Sequence, residues 1–172
     1  MDVKEAIEKR RSIRKYKKND IPDDVIKKLI DAARHAPSSR DSQPWEFIII
    51  KDDDIKEKLA KIKGKENEEV LLKAPVIITI CVDKNKSPSR WIEDGACAAM
   101  NILLTAHNLD LGAVYVTGYS QTTPEIIPKL QDVLSLPEHV MPVCLIPVGY
   151  PNEIPKPKEL RNLKETIHYE KW

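Results

Sequence analysis

The chain has 172 residues, of which 41% are hydrophobic and 32% are charged, and its formal net charge is +1. This length predicts one domain that buries roughly 70% of the surface of its unfolded chain. A chain without a net positive charge is a poor candidate for nonspecific nucleic-acid binding, which depends on neutralising phosphates. No apolar run reaches the roughly 20 residues that a membrane-spanning helix needs, and the charged first residues predict no signal peptide.

The cysteines predict neither a disulfide framework nor a metal site. Cys81, Cys97 and Cys144 are odd in number, far apart and flanked by apolar residues. Their spacing matches neither a redox CxxC motif nor a zinc-binding pattern. We therefore expect three buried, reduced thiols in a cytoplasmic protein that holds no metal.

The first half of the sequence predicts two helices, a strand and a third helix. Asp2 is suited to cap a first helix, and a second helix is expected to begin at Pro22 and to stop before Pro37. The apolar run Phe47–Ile50 predicts a buried strand. Asp54–Lys63 is predicted to be a highly charged surface helix whose lysines are solvated.

The second half continues the alternation. Val76–Val82 is an apolar, β-branched run without alternating polarity, so we expect a strand that is covered on both faces. Trp91–Leu109 is predicted to be the longest helix. Two further strands are expected at Ala113–Val116 and Val143–Val148, separated by a helix at Glu125–Leu134.

Residues 151–172 form a proline-rich, charged tail with little pattern of a hydrophobic core. Apolar side chains nevertheless recur in it, at Ile167, Tyr169 and Trp172. Exposed aromatic residues on an extended segment indicate a contact with another surface. We expect residues 1–172 to form a single domain whose tail crosses to a second subunit.

Two polar segments are candidates for binding an anionic ligand. Arg10, Ser12 and Arg14 alternate, so an extended chain would point all three side chains the same way. Guanidinium groups bind phosphate through paired hydrogen bonds, and a serine hydroxyl can add another. The alternative is that the arginines only complement the negative end of the first helix.

The second segment is the turn at Pro37, Ser38 and Ser39, which lies between a predicted helix and a predicted strand. Its backbone groups would be committed to neither element and could approach a ligand closely. The alternative is a structural connector. The nearby Trp45 is expected to pack in the core rather than to join a site.

These motifs together resemble the nitroreductase family, in the same order and over nearly the whole chain. The resemblance rests on Arg10–Arg14, on Ala36–Ser39 with Gln43–Trp45, on Thr117–Gly118, and on Gly149–Pro151 with the basic residues of the tail. It implies an α+β fold of three layers, in which helices flank a central, mainly antiparallel or mixed sheet. It also implies a domain-swapped homodimer that binds one flavin mononucleotide (FMN) in each of two interface sites.

The resemblance also assigns roles to individual residues. It places Arg10, Ser12 and Arg14 on the flavin from one subunit, and Pro37, Ser38 and Ser39 on it from the partner. Asp41 departs from the family, which usually has Asn there, and Arg40 is the candidate to pair with it. The remaining implied contacts are Arg11 at the ribityl edge, Asn67 at the pyrimidine edge, Thr117 and Gly118 after a strand, and Lys158 and Arg161 at the phosphate.

The implied activity is electron transfer from NADH or NADPH to a nitroaromatic, quinone or similar acceptor by a ping-pong mechanism. Arg14 would stabilise negative charge on the reduced flavin, and a backbone N–H near Gly118 would bond to flavin N5. No catalytic residue is expected from the protein, because the flavin carries the chemistry. Two alternatives stay open: a flavin enzyme of the same fold with other chemistry, such as reductive dehalogenation or flavin destruction, and a non-catalytic flavin-binding sensor.

Overall fold

The computed structural model describes residues 1–172 and confirms the alternation of helices and strands. Two short 3₁₀ turns, at Ser39–Asp41 and Leu163–Glu165, complete the secondary structure. In chain order the elements are α1 (Val3–Lys9), α2 (Asp23–Arg34), β1 (Trp45–Ile50), α3 (Asp53–Lys63), α4 (Lys65–Lys73), β2 (Val76–Asp83), α5 (Trp91–Asn108), β3 (Gly112–Ala113), β4 (Val116–Thr117), α6 (Ile126–Leu134) and β5 (Val140–Gly149).

The five strands form one antiparallel sheet in the order β1-β2-β5-β3, and β4 also pairs with β5. The strand β1 lies at an edge of this sheet, with only β2 beside it. The predicted strand at Phe47–Ile50 is confirmed, but the prediction that it is buried was wrong along most of its length, since Ile49 is 38% exposed and only Ile50 is fully buried. By contrast, β2 is central and buried along all but its last residue, as predicted.

The helices cover both faces of the sheet and produce three layers. Side chains of β2 alternate between two hydrophobic clusters, with Ile78 and Ile80 in one and Ile77 in the other. The first cluster includes residues of α2 and α5, and the second includes residues of α3, α4 and α6. The α+β three-layer fold expected from the family resemblance is therefore confirmed.

The helix α4 and the division between β3 and β4 were not predicted. Only Val70 and Leu71 of α4 are buried, so its charged sequence carries a weak apolar pattern. The predicted strand Ala113–Val116 is split into β3 and β4. The strand β3 pairs with β5 at Val148–Gly149, and β4 pairs with it at Cys144–Leu145. The break falls opposite Pro147, which has no N–H to donate to a neighbouring strand.

Two side chains differ in burial from their predictions. Lys56 on α3 is buried, although the lysines of this helix were expected to be solvated. Cys97 on α5 is exposed, whereas Cys81 and Cys144 are buried as predicted. Burial raises the pKa of the Cys81 thiol to about 12, so that group stays protonated at neutral pH.

Beyond Glu153, the tail makes almost no contact with the body of the chain. Every residue from Ile154 to Trp172 is exposed, including the apolar Leu163 and Tyr169. His168 and Trp172 stack on each other, with ring centroids 4.2 Å apart. No helix of the structure is long and apolar enough to cross a membrane.

Candidate functional site

The segment Arg10–Arg14 begins where α1 ends. Arg10 is the C-cap residue of this helix. The Nη1 group of Arg11 donates to the backbone oxygens of Glu8, at 2.6 Å, and of Arg10, at 2.8 Å. These carbonyls lack partners within a helix, so Arg11 serves the end of α1. Its Nε is buried without a partner, and a role for Arg11 at a ligand stays a prediction.

The chain then runs alongside β3 in extended form. Ser12 pairs with Ala113, and the N–H of Ile13 donates to the Ala113 oxygen at 3.1 Å. A Cβ on Gly112 would lie only 2.6 Å from the Ile13 side chain, so this close approach requires glycine. Ile13 is 6% exposed and points into the core. Because side chains alternate in an extended chain, Ser12 and Arg14 lie on the outward side of this segment.

The first residues of the tail hold this segment in place. The carboxylate of Glu153 accepts from the backbone N–H of Arg14, at 2.5 Å, and of Lys15, at 3.1 Å. The Tyr16 hydroxyl donates to the backbone oxygens of Ile13, at 2.6 Å, and of Pro147, at 3.1 Å. The backbone of Arg14 is therefore fixed while its side chain stays exposed.

The arginines of this segment have no carboxylate partners. None of the ion pairs within the chain includes Arg10, Arg11 or Arg14. Arg10 is half-buried, and its burial, followed by the neighbouring Arg11 guanidinium, lowers its pKa. Partial burial of a guanidinium without a counter-ion costs free energy. A bound anion would offset this cost by pairing with the guanidinium. These residues therefore fit the phosphate-bearing flavin implied by the family resemblance.

The turn that contains Pro37, Ser38 and Ser39 is pinned from two sides. The Ser39 N–H donates to Asp94 Oδ1 at 2.9 Å, and Ser38 Oγ accepts from the Gln43 N–H at 3.0 Å. The Ser39 amide is therefore committed, contrary to the expectation that this turn keeps its backbone groups free. The Pro37 ring is exposed, and both serines are half-buried.

The turn also has an unusual backbone. Arg40, Asp41 and Gln43 all have positive φ angles, of 55°, 53° and 45°. Such angles are uncommon outside glycine and require support from the surrounding structure. Asp41 Oδ1 accepts from Gln43 Nε2 at 3.2 Å, so Asp41 bonds to Gln43 and makes no ion pair with Arg40.

Asp94 was missed by the sequence analysis. It lies in the first turn of α5, is 4% exposed, and its Oδ2 is buried without a partner. The next residue, Gly95, lies against β5 so closely that an added Cβ would be 2.6 Å from a Val143 methyl group. Asp94, Ala98 and Ile102 are all buried and recur at intervals of four residues. The position of an acidic residue on the apolar face of the longest helix could therefore have identified Asp94 as a buried carboxylate from the sequence.

The strand β4 places Thr117 and Gly118 beside β5, but it does not leave the Gly118 N–H free. That N–H donates to the Val143 oxygen at 2.7 Å, and a Cβ on Gly118 would lie 2.7 Å from the Pro142 oxygen. The Gly118 N–H therefore cannot also donate to flavin N5. The N–H of Tyr119 makes only a long contact, 3.4 Å, with Thr117 Oγ1, which makes it the more available neighbouring donor.

Asn67, Lys158 and Arg161 are three further predicted site residues that make no direct contact with Arg10–Arg14. Asn67 lies on α4, one turn before Val70 and Leu71, which share a hydrophobic cluster with Ile13 and Tyr16. Lys158 and Arg161 lie on the exposed tail. The Arg161 guanidinium donates a hydrogen bond from Nη2 to the backbone oxygen of Glu165, at 3.3 Å.

One chain therefore presents two separate clusters along β5. Arg10–Arg14 lies beside Val148 through β3, whereas Pro37–Ser39 is tied through Asp94 and Gly95 to Val143. Five residues of an extended strand separate these points, which is on the order of 17 Å.

The antiparallel sheet with helices on both of its faces defines an α+β fold of three layers. A family model described as "Nitroreductase family" matches residues 7–69 and 62–150. The chain belongs to the nitroreductase family, which confirms the resemblance of its motifs.

Comparisons with individual proteins agree with this assignment. The chain is 40% identical to a "Putative NADH dehydrogenase/NAD(P)H nitroreductase" of Methanothermobacter thermautotrophicus, over 100% of this chain and 88% of that protein. A solved structure, "a putative nitroreductase in complex with fmn" from Desulfovibrio desulfuricans, is 29% identical, with a TM-score of 0.85 and coverage of 100% of this chain and 98% of that one. The iodotyrosine deiodinase 1 of Rattus norvegicus is 33% identical over 86% of this chain, which spans 61% of the deiodinase.

Proposed function

We propose that this protein is an FMN-dependent oxidoreductase that passes electrons from NADH or NADPH to a nitroaromatic, a quinone or a similar acceptor. The observation that carries the proposal is the pair of guanidinium groups of Arg10 and Arg14, which form no ion pair within the chain and flank Ser12 in sequence. Bound FMN would supply the ability to accept and release two electrons. The relatives that match the whole chain support the same class of activity.

The residues of this chain would bind and orient the flavin. Arg10 and Ser12 would hold it by charge-assisted and hydroxyl hydrogen bonds, with Arg161 and Lys158 of the tail at its phosphate. Arg14, fixed through its backbone by Glu153, would place positive charge beside the flavin ring and favour its reduced, anionic form. The Tyr119 N–H is the donor that we assign to the N5 side, in place of Gly118.

We also propose that the functional unit is a homodimer. The two clusters on β5 would then be united across the interface, with Pro37–Ser39 of one subunit facing Arg10–Arg14 of the other. Residues 154–172 are exposed along their whole length, and β1 offers an unpaired sheet edge. Unpaired edges and exposed apolar tails are commonly covered in native proteins. A tail that crosses to the partner would bury its own apolar side chains and could cover the partner's unpaired sheet edge.

The protein would contribute no acid or base to turnover. His35, His107, His139 and His168 do not cluster with one another or with acidic residues or cysteines in a group that could hold a metal. The nicotinamide and the acceptor would use the same flavin face in turn. We therefore expect ping-pong kinetics, in which the first product leaves before the acceptor binds.

Purification and reconstitution test the proposal. FMN added to flavin-free protein should bind at one equivalent per chain, and the loaded protein should turn over NADH or NADPH with menadione or nitrofurazone as acceptor. A protein that takes up no FMN would contradict the proposal. Flavin binding without turnover by either nucleotide would favour the sensor instead.

Reductive dehalogenation is the second candidate, because the chain is 33% identical to an iodotyrosine deiodinase over most of its length. Release of iodide from iodotyrosine by the reduced, FMN-loaded protein would support it. The same reduced protein should then react slowly with quinones. Rapid oxidation by a quinone, without iodide release from iodotyrosine, would favour the nitroreductase activity.

A further inference from the structure

A cavity of about 510 Å³ lies where the connection Tyr16–Ile21 passes the end of β1 and the start of β2. The chain as a whole has a formal net charge of +1, but the wall of this cavity is strongly basic. Five of its side chains are lysines and two are aspartates: Lys17, Lys18, Lys51, Lys56 and Lys73, with Asp20 and Asp53. Counted by themselves, these lining side chains carry a formal charge of +3.

Lys56 is the residue that distinguishes this cavity from an ordinary basic surface. Its side chain is 6% exposed, and its Nζ donates to Asp53 Oδ1 at 3.0 Å. An ammonium group has three hydrogens to donate, and this is the only protein partner of Lys56. Asp53 is itself 88% exposed, so it compensates the buried charge weakly. Burial of a charge without a full set of partners is costly, and a ligand would supply the missing acceptors.

The remaining lysines leave room for the same ligand. Lys17 and Lys18 form no ion pair. Lys51 pairs with Asp23, at 2.7 Å, and Lys73 pairs with Glu69. Both carboxylates are mostly exposed. Exposed pairs of this kind contribute little stability, so their lysines can exchange partners at low cost.

We propose that this cavity is a second anion site, which binds a small molecule that carries several phosphate charges. Lys56 would bind it from the floor, and lysines of three separate chain segments would bind it from the rim. Lysine is a common phosphate ligand that acts as a compact point charge. The site is separate from Arg10–Arg14, because none of those five residues lines the cavity.

Inorganic pyrophosphate is a suitable probe. It should be titrated calorimetrically into FMN-saturated protein in phosphate-free buffer, with ionic strength held constant by sodium chloride. FMN saturation occupies the flavin phosphate contacts, and the flavin absorbance reports any displacement. We expect saturable binding at one site per chain, with Lys56→Met weakening it by about tenfold or more because a charge-assisted contact is lost.

Lys61→Met is the matched control, because it removes one charge from an exposed position of the same helix α3. It should leave the affinity within about twofold of wild type, as expected for a distant and screened charge. Equal affinity of wild type and Lys56→Met, or the absence of saturable binding in the wild type, would overturn the proposal. If Lys56→Met does not fold, the double variant Lys17→Ala/Lys18→Ala gives the same comparison. A protein that binds no FMN would contradict the flavin proposal alone. Pyrophosphate would then be titrated into the Arg10→Ala variant, in which the first anion site is weakened, so that binding at the cavity is measured by itself.

Discussion

The backbone N–H of Ser39 is bonded to the buried carboxylate of Asp94, 55 positions further along the chain. This bond ties the turn between α2 and β1 to the first turn of α5. The helix is in turn fixed against β5 by the close contact of Gly95 with Val143. A turn with positive φ angles at Arg40 and Asp41 is thereby attached, through α5, to the strand β5.

Loss of the Asp94 carboxylate should disturb both the turn and the flavin site that we assign to it. We expect Asp94→Ala to lower the free energy of unfolding by about 1–3 kcal/mol, because it leaves the Ser39 N–H unsatisfied. FMN affinity should fall as well, since Ser38 and Ser39 would no longer be held in place. Urea unfolding and fluorescence titration of FMN measure the two effects.

Glu93→Ala is the control for Asp94, because Glu93 is its exposed neighbour and pairs only with Arg90. It should change stability by less than about 1 kcal/mol, as is usual for surface ion pairs. Wild-type stability and wild-type FMN affinity in Asp94→Ala would show that the turn does not depend on this carboxylate.

The N-terminal arginines should be required for flavin binding. Arg10→Ala and Arg14→Ala should each weaken FMN binding by roughly 1.5–3 kcal/mol, the contribution of a hydrogen bond to a charged group. Lys61→Ala removes a charge from the exposed face of α3 and should leave FMN affinity unchanged. Unchanged affinity in both arginine variants would mean that they only complement the end of α1.

The tail should be needed for the dimer. Deletion of all residues after Pro155 removes Arg161 together with the exposed Leu163 and Tyr169. We expect the truncated protein to show a smaller dimer fraction in analytical ultracentrifugation and to retain less FMN after gel filtration. A truncated protein that sediments as a fully flavin-loaded dimer would be incompatible with a crossing tail.

No histidine should be essential for turnover. Individual replacement of His35, His107, His139 and His168 by Ala should leave kcat within a few-fold of wild type, whereas removal of a general acid or base typically costs about 10²–10⁴-fold. Steady-state rates measured on FMN-loaded variants test this directly. A hundredfold loss in a variant that still holds its flavin would require an acid or base in the mechanism.

The parts of the fold that the sequence predicted are those with a strong local pattern. The apolar run of β2 and the amphipathic stripe of α2 each determine their own structure. The alternation of Arg10, Ser12 and Arg14 is likewise local, and it survives because Ile13 is buried between Ser12 and Arg14.

The features that were missed depend on pairing between distant segments. The Gly118 N–H is occupied because β4 pairs with β5, and the Ser39 N–H is occupied because α5 packs beside the turn. Lys56 is buried by chain segments that lie far from it in sequence. None of these contacts produces a pattern in the neighbouring sequence from which it could be predicted. The burial of Asp94, by contrast, could have been predicted from its position on the apolar face of α5.

Anaerobic reduction and re-oxidation of the bound flavin test the central claim most directly. The FMN-loaded protein, mixed with NADH or NADPH without oxygen, should lose its visible flavin absorbance. It should regain that absorbance when a quinone or nitroarene is added after the oxidised nucleotide has been removed. Recovery after this separation would establish that the two substrates react in turn through one flavin. A flavin band that neither nucleotide bleaches, or a bleached band that no acceptor restores, would contradict the account.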